Sequence, residues 1–288
     1  MENKNPFITI ISHASIDHTP TGTYLGGPVS YGGRMLAELG AHFKVFPKIG
    51  SQDFTFREYY KNRITHYHFI ENAHTTTFKL SFSQNVRNIQ IVAKAEPFNI
   101  NEIPLEAFKS KYILLSPIID DMSLSFIQEL SHRNPGGIIA IDPFNNDDGK
   151  FTFQQKQYFS ELLHSVAILK LSQAELLGIT NSTDSKQALT SLPPTNCLFL
   201  ITLGGEGTLI YKQNVIEKII PSIRKYTPID TTGCGDIFFS SFLYALSQNY
   251  SLVKSVFFGN VCAGLSVKSK GVDSIPSKEE IWNEFNKR

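Results

Sequence analysis

The residues best placed to do chemistry lie together near position 233. The string Asp230-Thr231-Thr232-Gly233-Cys234-Gly235-Asp236 joins an extended segment to the apolar stretch 237–246, which predicts a helix. Two glycines allow a sharp turn, and N–H groups at a helix N-terminus attract anions. Asp236 adds a carboxylate beside this anion-binding turn. The combination can hold a phosphate while a base accepts a proton, although an ordinary helix cap is the alternative interpretation.

The elements that position this turn are predicted by hydrophobic periodicity. Buried strands are predicted at 7–11, 44–49, 112–115, 137–141, 166–169 and 198–203. Helices are predicted at 29–39, 54–62, 122–132, 154–163, 172–177, 185–191 and 252–267. Strands that alternate with helices indicate a mostly parallel sheet with helices on both faces. The segment 75–83 alternates instead, which predicts a half-exposed strand with 88–93 as its partner.

Several polar residues and glycines follow predicted strands. Asp17 comes soon after the first strand, Asp142 follows the strand ending at Ile141, and Gly204 follows the strand ending at Leu203. Ligands of an open parallel sheet bind beyond the carboxyl ends of its strands. We therefore expect these residues to converge with the 230–236 segment at one edge of the sheet.

Composition excludes several classes of protein. The chain has 288 residues, 41% of them hydrophobic, and a formal net charge of +1, so binding to nucleic acid is not expected. Three separated cysteines offer neither a disulfide framework nor zinc spacing. No segment has the ~20 apolar residues of a membrane span. We predict one domain over residues 1–288 and a cytoplasmic location without membrane contact.

The motifs resemble those of a known family. Asp-Thr-x-Gly-x-Gly-Asp before an apolar helix resembles the second signature of the ribokinase-like (PfkB) carbohydrate and nucleoside kinases, with Cys234 where the family usually has Ala. Gly26-Gly27, followed by a helix ending in 39–41, resembles the family's first glycine pair. The segment 50–53 resembles its Gly-x-Asp, with one additional residue.

The resemblance implies an α/β fold, the ribokinase-like three-layer sandwich. Its mostly parallel central sheet has helices on both faces, and a small β-sheet lid is expected from about 13–28 and 64–95. In the family the lid covers the acceptor and often serves as a homodimer surface, so a homodimer through the lid is expected here.

The resemblance also assigns the acceptor side of the site. It implies that Asp236 is the base and that the amides of Gly233, Cys234 and Gly235 bind the negative charge of the moving phosphoryl group. The residues implied in acceptor binding are Asp17, Gly26, Gly27, Tyr31 and Arg87. Tyr31 stands where many members carry Asn, and Arg87 is expected in the turn between the two lid strands.

On the nucleotide side, the resemblance implies ATP, Mg²⁺ and, in some members, a monovalent cation such as K⁺. The residues implied near the nucleotide are Thr202, Gly204, Gly207, Thr232, Asn260 and Ala263. Glu175, with Asp142, is implied in organising magnesium. Because Ser172 precedes Glu175 by three residues, a capping box is an equally good interpretation. A monovalent cation would lie between 230–232 and 268–271.

The expected function is ATP-dependent phosphorylation of a hydroxyl group on a small uncharged sugar, polyol or nucleoside. Tyr31 and an aromatic lid suggest a cyclic polyol such as myo-inositol, or a nucleoside. The alternatives are a non-catalytic sugar- or nucleotide-sensing protein on the same fold and a sugar-phosphate kinase. A hydroxymethylpyrimidine kinase of related fold is disfavoured by the lid strands.

Overall fold

The computed structural model of the chain describes residues 7–83, 86–118, 120–143 and 149–287. In these ranges the α-helices, α1 to α9 in chain order, are Pro28–Leu39, Phe54–Arg63, Leu124–Arg133, Phe153–Leu162, Gln173–Thr180, Ser185–Thr190, Cys234–Ser247, Leu252–Ser266 and Lys278–Phe285. The strands, β1 to β13, are Ile8–His13, Ser15–Thr19, Gly22–Gly26, Phe43–Gly50, Ile70–Asn72, Thr76–Ser83, Val86–Ala93, Tyr112–Leu115, Ile138–Ile141, Ile168–Ser172, Leu198–Thr202, Thr208–Lys212 and Val215–Ile220. No helix among the described residues is both long and apolar enough to cross a bilayer.

A nine-stranded sheet forms the centre of the molecule. Its strand order is β13-β12-β11-β10-β9-β8-β1-β4-β5. Among the described strands, β11–β12 and β12–β13 pair in antiparallel fashion, and the other neighbours in this sheet pair in parallel. The prediction of a mostly parallel sheet is therefore confirmed. The hairpin between β12 and β13 turns at Gln213 and Asn214, with φ of 49° and 62°, the positive values that a tight two-residue hairpin turn requires.

A second, four-stranded sheet has the order β3-β2-β6-β7. It includes both predicted lid strands, and its β2–β6 pairing is parallel. Arg87 does not lie in the predicted turn: β7 begins at Val86, and Arg87 pairs with Phe82 within the antiparallel ladder, so this prediction is wrong. The side chain of Arg87 lies outside the described part of the structure, so its expected contact with the acceptor stays a prediction.

Apolar side chains cover both faces of the central sheet. Ile10 packs with Met35 of α1 and Phe242 of α7 in one buried cluster, whereas its neighbour Ile11 packs with Phe126 of α3 in another. Successive residues of a strand point to opposite faces, so the two clusters are the two halves of a three-layer sandwich. The packing fixes α7 against the sheet and thereby fixes the position of its N-terminus.

The two sheets are joined by a buried polar cluster. β1 leads directly into β2 through Ala14, and at this junction His13 Nδ1 lies 3.1 Å from Thr76 Oγ1 and 3.2 Å from Asp121 Oδ2. Thr76 Oγ1 also accepts a hydrogen bond from the N–H of Ala95. Burial lowers the pKa of His13 to about 3, so the imidazole is neutral at pH 7. The cluster holds the strands that enter and leave the small sheet.

The packing of α7 can be tested by removing one ring. Phe242 is fully buried, so Phe242→Ala should lower the free energy of unfolding by about 3–5 kcal/mol through lost burial and an unfilled cavity. Urea unfolding measures this change. Phe153→Ala is the matched control because Phe153 is 78% exposed, and its effect should stay within about 0.5 kcal/mol. Equal losses from the two substitutions would contradict the assignment of α7 to the core.

Candidate active site

A pocket lies at the carboxyl ends of the parallel strands, between the central sheet and the small sheet. It brings together residues from separate parts of the chain, as the strand-end argument predicted. The sequence-predicted residues that line it are Asp17, Gly27, Tyr31, Asp142, Thr232, Gly233 and Asp236. Phe78 of β6 forms the wall on the side of the small sheet.

The turn before α7 has the conformation that its glycines permit. Gly233 caps the helix with φ of 77°, a left-handed value that favours glycine. The Asp230 carboxylate holds the turn by accepting the N–H of Thr232 at 2.9 Å. Asp236 falls in the first helical turn, where N–H groups have no acceptor within the helix. Of the three predicted amides, that of Cys234 donates to Thr231 O at 3.2 Å, so binding an anion there requires sharing this bond.

Tyr31 packs directly against the anion-binding turn. A Cβ added to Gly233 would lie 2.4 Å from the Tyr31 ring, so only glycine allows this contact. Burial raises the pKa of Tyr31, and the carboxylates of Asp17, Asp230 and Asp236 raise it further. The phenol therefore stays protonated at neutral pH and can donate a hydrogen bond inside the pocket.

Gly26 leaves room for the carboxylate of Asp17. A Cβ on Gly26 would stand 2.5 Å from Asp17 Oδ2, and Ser15 Oγ donates to Asp17 Oδ1 at 3.0 Å. The paired strands β2 and β3 therefore need glycine at this position if the acid is to lie across them. This steric reason accounts for one member of the predicted glycine pair.

Cys234 contributes a small neutral side chain. Burial raises the pKa of its thiol to about 11, so the reactive thiolate form is scarce at pH 7. Its Sγ lies 3.8 Å from Ala263 O and 3.4 Å from Ser266 Oγ, both on α8. These contacts tie the start of α7 to α8, and they bring the predicted residue Ala263 next to the turn.

Sequence reasoning missed Lys170. This lysine lies in β10, is only 6% exposed, and places Nζ 2.6 Å from Asp142 Oδ2. A Cβ on Gly235 would be 3.2 Å from the same Nζ, so the ammonium lies directly beneath the anion-binding turn. The available signal was a lysine inside the apolar run Ile168-Leu169-Lys170-Leu171, because lysine is almost never buried without a partner.

The charge of Lys170 is maintained by its acidic neighbours. Burial alone would lower its pKa, but the carboxylates of Asp142 and Glu175 raise the pKa of Lys170 above its ordinary value. The ammonium therefore stays charged and offsets part of the negative charge of the pocket. Glu175 also accepts the N–H of Ser172 at 2.7 Å, which confirms the capping-box interpretation.

Asp142 and Glu175 are compatible with organising magnesium without enclosing it. Asp142 Oδ1 is buried and has no hydrogen-bond partner within the described residues, which fits an oxygen reserved for a bound group. Magnesium prefers such oxygen ligands and usually keeps several waters. The described residues include no group of three or more side chains able to hold a metal ion. Phosphate oxygens of a nucleotide and water would therefore supply the remaining ligands.

Four of the predicted nucleotide-side residues lie apart from the glycine turn: Thr202, Gly204 and Gly207 at or after the end of β11, and Asn260 within α8. Asn260 is buried, accepts from Thr208 Oγ1 at 2.7 Å and donates to Ile220 O at 2.9 Å. Gly207 has a φ of 113°, and a Cβ added to it would lie only 2.0 Å from Ile220 O, so this position requires glycine. Asn260 therefore ties α8 to β12 and β13, and Gly207 lets the chain before β12 pass close to the end of β13. Thr202 ends β11 and Gly204 follows at φ of 57°, and their contact with a nucleotide stays a prediction.

The two segments expected around a monovalent cation do lie side by side. Val267 O accepts hydrogen bonds from Ile229 N at 2.8 Å and from Asp230 N at 3.4 Å. Lys268 forms an ion pair with Glu280. The expected cation site requires these two segments to be neighbours. The cation itself stays a prediction.

The buried ion pair of Lys170 and Asp142 can be tested by stability. Lys170→Met leaves Asp142 buried beside an uncharged neighbour and should lower the free energy of unfolding by about 3–5 kcal/mol. The double substitution Lys170→Met with Asp142→Asn removes both charges and should recover most of that loss. Urea unfolding of the two single variants and the double variant gives the coupling energy. A coupling near zero would show that the two charges do not depend on each other.

Comparison with known proteins agrees with this geometry. The pfkB family carbohydrate kinase model matches residues 33–279. A fructokinase of Vibrio alginolyticus is 31% identical over 157 residues, which cover 51% of this chain and 50% of that protein. The chain thus aligns with about half the length of this relative.

Two solved structures share the fold. The ribokinase of Thermotoga maritima has a TM-score of 0.77 at 20% identity, over 98% of this chain and 100% of that one. The fructokinase of Vibrio cholerae O395, solved with fructose, ADP and calcium ion, has a TM-score of 0.78 at 19% identity, over 97% and 99%. Since the family match extends over most of the residues that build the sheet and the pocket, this chain belongs to the pfkB family of carbohydrate kinases.

Proposed function

We propose that the chain transfers the γ-phosphoryl group of ATP to a hydroxyl group on a small uncharged sugar, polyol or nucleoside. The observation that carries the proposal is the placement of Asp17 and Asp236 in one pocket, with the glycine turn of α7 beside them. A related structure from Vibrio cholerae holds fructose and ADP, which supports a sugar acceptor and an adenine nucleotide here.

The chemistry follows from the two carboxylates. Asp17 accepts hydrogen bonds from hydroxyl groups of the acceptor and so orients it. Asp236 takes the proton of the attacking hydroxyl, whose oxygen forms a bond to the γ-phosphorus while the bond from phosphorus to the bridging oxygen breaks and ADP leaves. Gly26 gives the Asp17 carboxylate its place, and Gly27 lies against the backbone of 13–15, because an added Cβ at either glycine would meet these atoms within 2.7 Å.

The turn before α7 stabilises the charge that develops on the transferred group. Its amides and the α7 dipole point toward the phosphoryl oxygens, and Lys170 adds a positive charge from beneath. Loss of a single donor of this kind typically costs about 3 kcal/mol of transition-state stabilisation. Thr232 lies at the pocket edge of the turn, and its expected role is contact with the nucleotide phosphates.

Magnesium would be held near the phosphates by Asp142 and Glu175. When bound, it would neutralise part of the negative charge of the phosphates. A potassium ion between 230–232 and 268–271 would support the anion-binding turn from behind. On the nucleotide side, Thr202, Gly204, Gly207, Asn260 and Ala263 would border the ATP.

The charge of the pocket favours an uncharged acceptor over a sugar phosphate. Its described lining contains the carboxylates of Asp17, Asp142 and Asp236 and no lysine or arginine. A phosphorylated acceptor would meet repulsion there without the cationic partner that phosphate recognition uses. A non-catalytic sensing protein on the same fold would not need Asp236 beside the two signature glycines. Conversion of ATP to ADP in the presence of acceptors decides between the enzyme and the sensor.

The small sheet would act as the lid that excludes water during transfer. A homodimer through this sheet is supported by Ile91 and Val92 of β7, which are 49% and 57% exposed. The expectation of a cytoplasmic location is compatible with three free cysteines among the described residues.

The role of Asp236 as base is tested by Asp236→Asn. The amide keeps the shape but cannot accept the hydroxyl proton, so kcat should fall by about 10²–10⁴ while ADP binding is retained. Steady-state kinetics with a phosphorylatable acceptor and calorimetry with ADP measure the two quantities. Asp184→Asn is the control, since Asn caps α6 as well as Asp does. Turnover close to that of the unmodified enzyme would remove Asp236 from the role of base.

The role of Asp17 is tested by Asp17→Ala. Loss of the carboxylate should raise the KM for the acceptor at least about tenfold, because charge-assisted hydrogen bonds contribute about 1.5–3 kcal/mol, and the KM for ATP should change little. Initial rates with each substrate varied in turn separate the two constants. A larger change in the KM for ATP would assign Asp17 to the nucleotide side.

A further inference from the structure

The pocket described above continues into a second compartment. We call the first part the hydroxyl compartment, the space around Asp142, Gly233 and Asp236. The second part, the side compartment, lies between the β2–β3 hairpin and the 228–232 segment and is bordered by Tyr24, Leu80 and Lys270. Asp17, Tyr31 and Thr232 line both parts, so the two spaces meet at these residues.

The sizes of the two compartments differ in a way that limits the acceptor. The hydroxyl compartment has a volume of about 110 Å³, whereas the side compartment has about 850 Å³. Small-molecule sites usually have about 300–1,000 Å³. The hydroxyl compartment alone is therefore too small for a complete ligand and fits only its reacting end. The body of the acceptor must extend past Asp17 and Tyr31 into the side compartment.

The side compartment has an apolar wall away from its threonines and from Asp17 and Asp230. Tyr24, Leu80, Pro228 and Ile229 form this wall, and Ile229 is 63% exposed. The Tyr24 ring packs against the backbone of Gly271, since a Cβ added there would lie 3.1 Å from the ring. Such walls favour a flat or apolar group over the hydroxyl-covered face of a free sugar.

A cation at the rim adds a requirement for hydrogen-bond acceptors. Lys270 is the only lysine or arginine among the described residues that line the side compartment, and it is exposed. Its ammonium can donate to carbonyl oxygens or ring nitrogens at the edge of a flat group. Tyr31, protonated and packed on Gly233, offers its ring or its hydroxyl at the junction.

We infer that the acceptor is a sugar bearing a flat, acceptor-edged ring, as in a nucleoside, and not a free monosaccharide. The sugar hydroxyl that reacts occupies the hydroxyl compartment, and the ring lies between Tyr24, Leu80 and Ile229 with its polar edge toward Lys270. This inference rests on the proposed phosphoryl transfer and assigns the side compartment to the ring.

The experiment compares acceptors that share one sugar. ADP release is measured with ATP, magnesium and, in turn, ribose, methyl riboside, uridine and inosine. Uridine or inosine should show a KM at least about tenfold below that of ribose and methyl riboside. Burying about 55 Å² of the apolar surface of the ring is enough to lower the KM tenfold.

Substitutions in the side compartment distinguish a role in binding the ring from a general loss of folding or activity. Tyr24→Ala and Ile229→Ala should each raise the KM for the nucleoside several-fold and leave that for ribose nearly unchanged. Ile229→Ala guards against misfolding, since this residue is largely exposed. Leu105→Ala, at a 75% exposed leucine outside both compartments, is the control and should change neither KM.

The outcomes distinguish this inference from the proposed function. If ribose is phosphorylated with a lower KM than the nucleosides, the function stands and the inference is wrong. If Tyr24→Ala and Ile229→Ala change the KM for ribose and nucleosides equally, the side compartment does not hold the ring. If hydroxylated acceptors of every class, including free sugars and polyols, release no ADP, the proposed function fails and the inference fails with it.

Discussion

The structure depends on a concentration of negative charge at one edge of a parallel sheet. Asp17, Asp142, Glu175 and Asp236 all lie around the start of α7, and each of these carboxylates would repel the others in a partly buried pocket. Lys170 and the positive end of the α7 dipole offset that repulsion. The remaining negative charge is compatible with the proposed binding of a magnesium–nucleotide complex, and it would repel a phosphorylated acceptor.

Close backbone approach is the second requirement, and it explains the glycines. Gly233 admits the Tyr31 ring, Gly26 admits the Asp17 carboxylate, and Gly235 lies over Lys170. In each case a Cβ added to the glycine would clash with, or press against, a side chain of the site. The core packing of α7 matters for the same reason, since a small shift of this helix would separate the turn from the groups beneath it.

Much of the fold follows from local sequence patterns, whereas part of the site does not. Periodicity predicts the parallel strands and most helices within a few residues, because burial on one or both faces leaves a direct trace in the sequence. The role of Lys170 was not predicted, because its neighbours indicate only a buried strand and its partner Asp142 is 28 positions away in the sequence. Arg87 was placed in a turn because neither the length nor the register of a strand pair is visible in the apolar pattern alone. Asn260 shows the reverse case, since its hydrogen bonds to Thr208 and Ile220 give it a packing role that a motif cannot reveal.

The central claim is that the turn from Gly233 to Asp236 receives the phosphoryl group while Asp236 faces the attacking hydroxyl. A crystal structure with a non-hydrolysable ATP analogue and an acceptor tests it most directly. The account predicts terminal phosphate oxygens about 2.7–3.1 Å from amides of this turn, and an acceptor hydroxyl within hydrogen-bond distance of the Asp236 carboxylate. A terminal phosphate bound elsewhere, with Asp236 turned away from the acceptor, would contradict it.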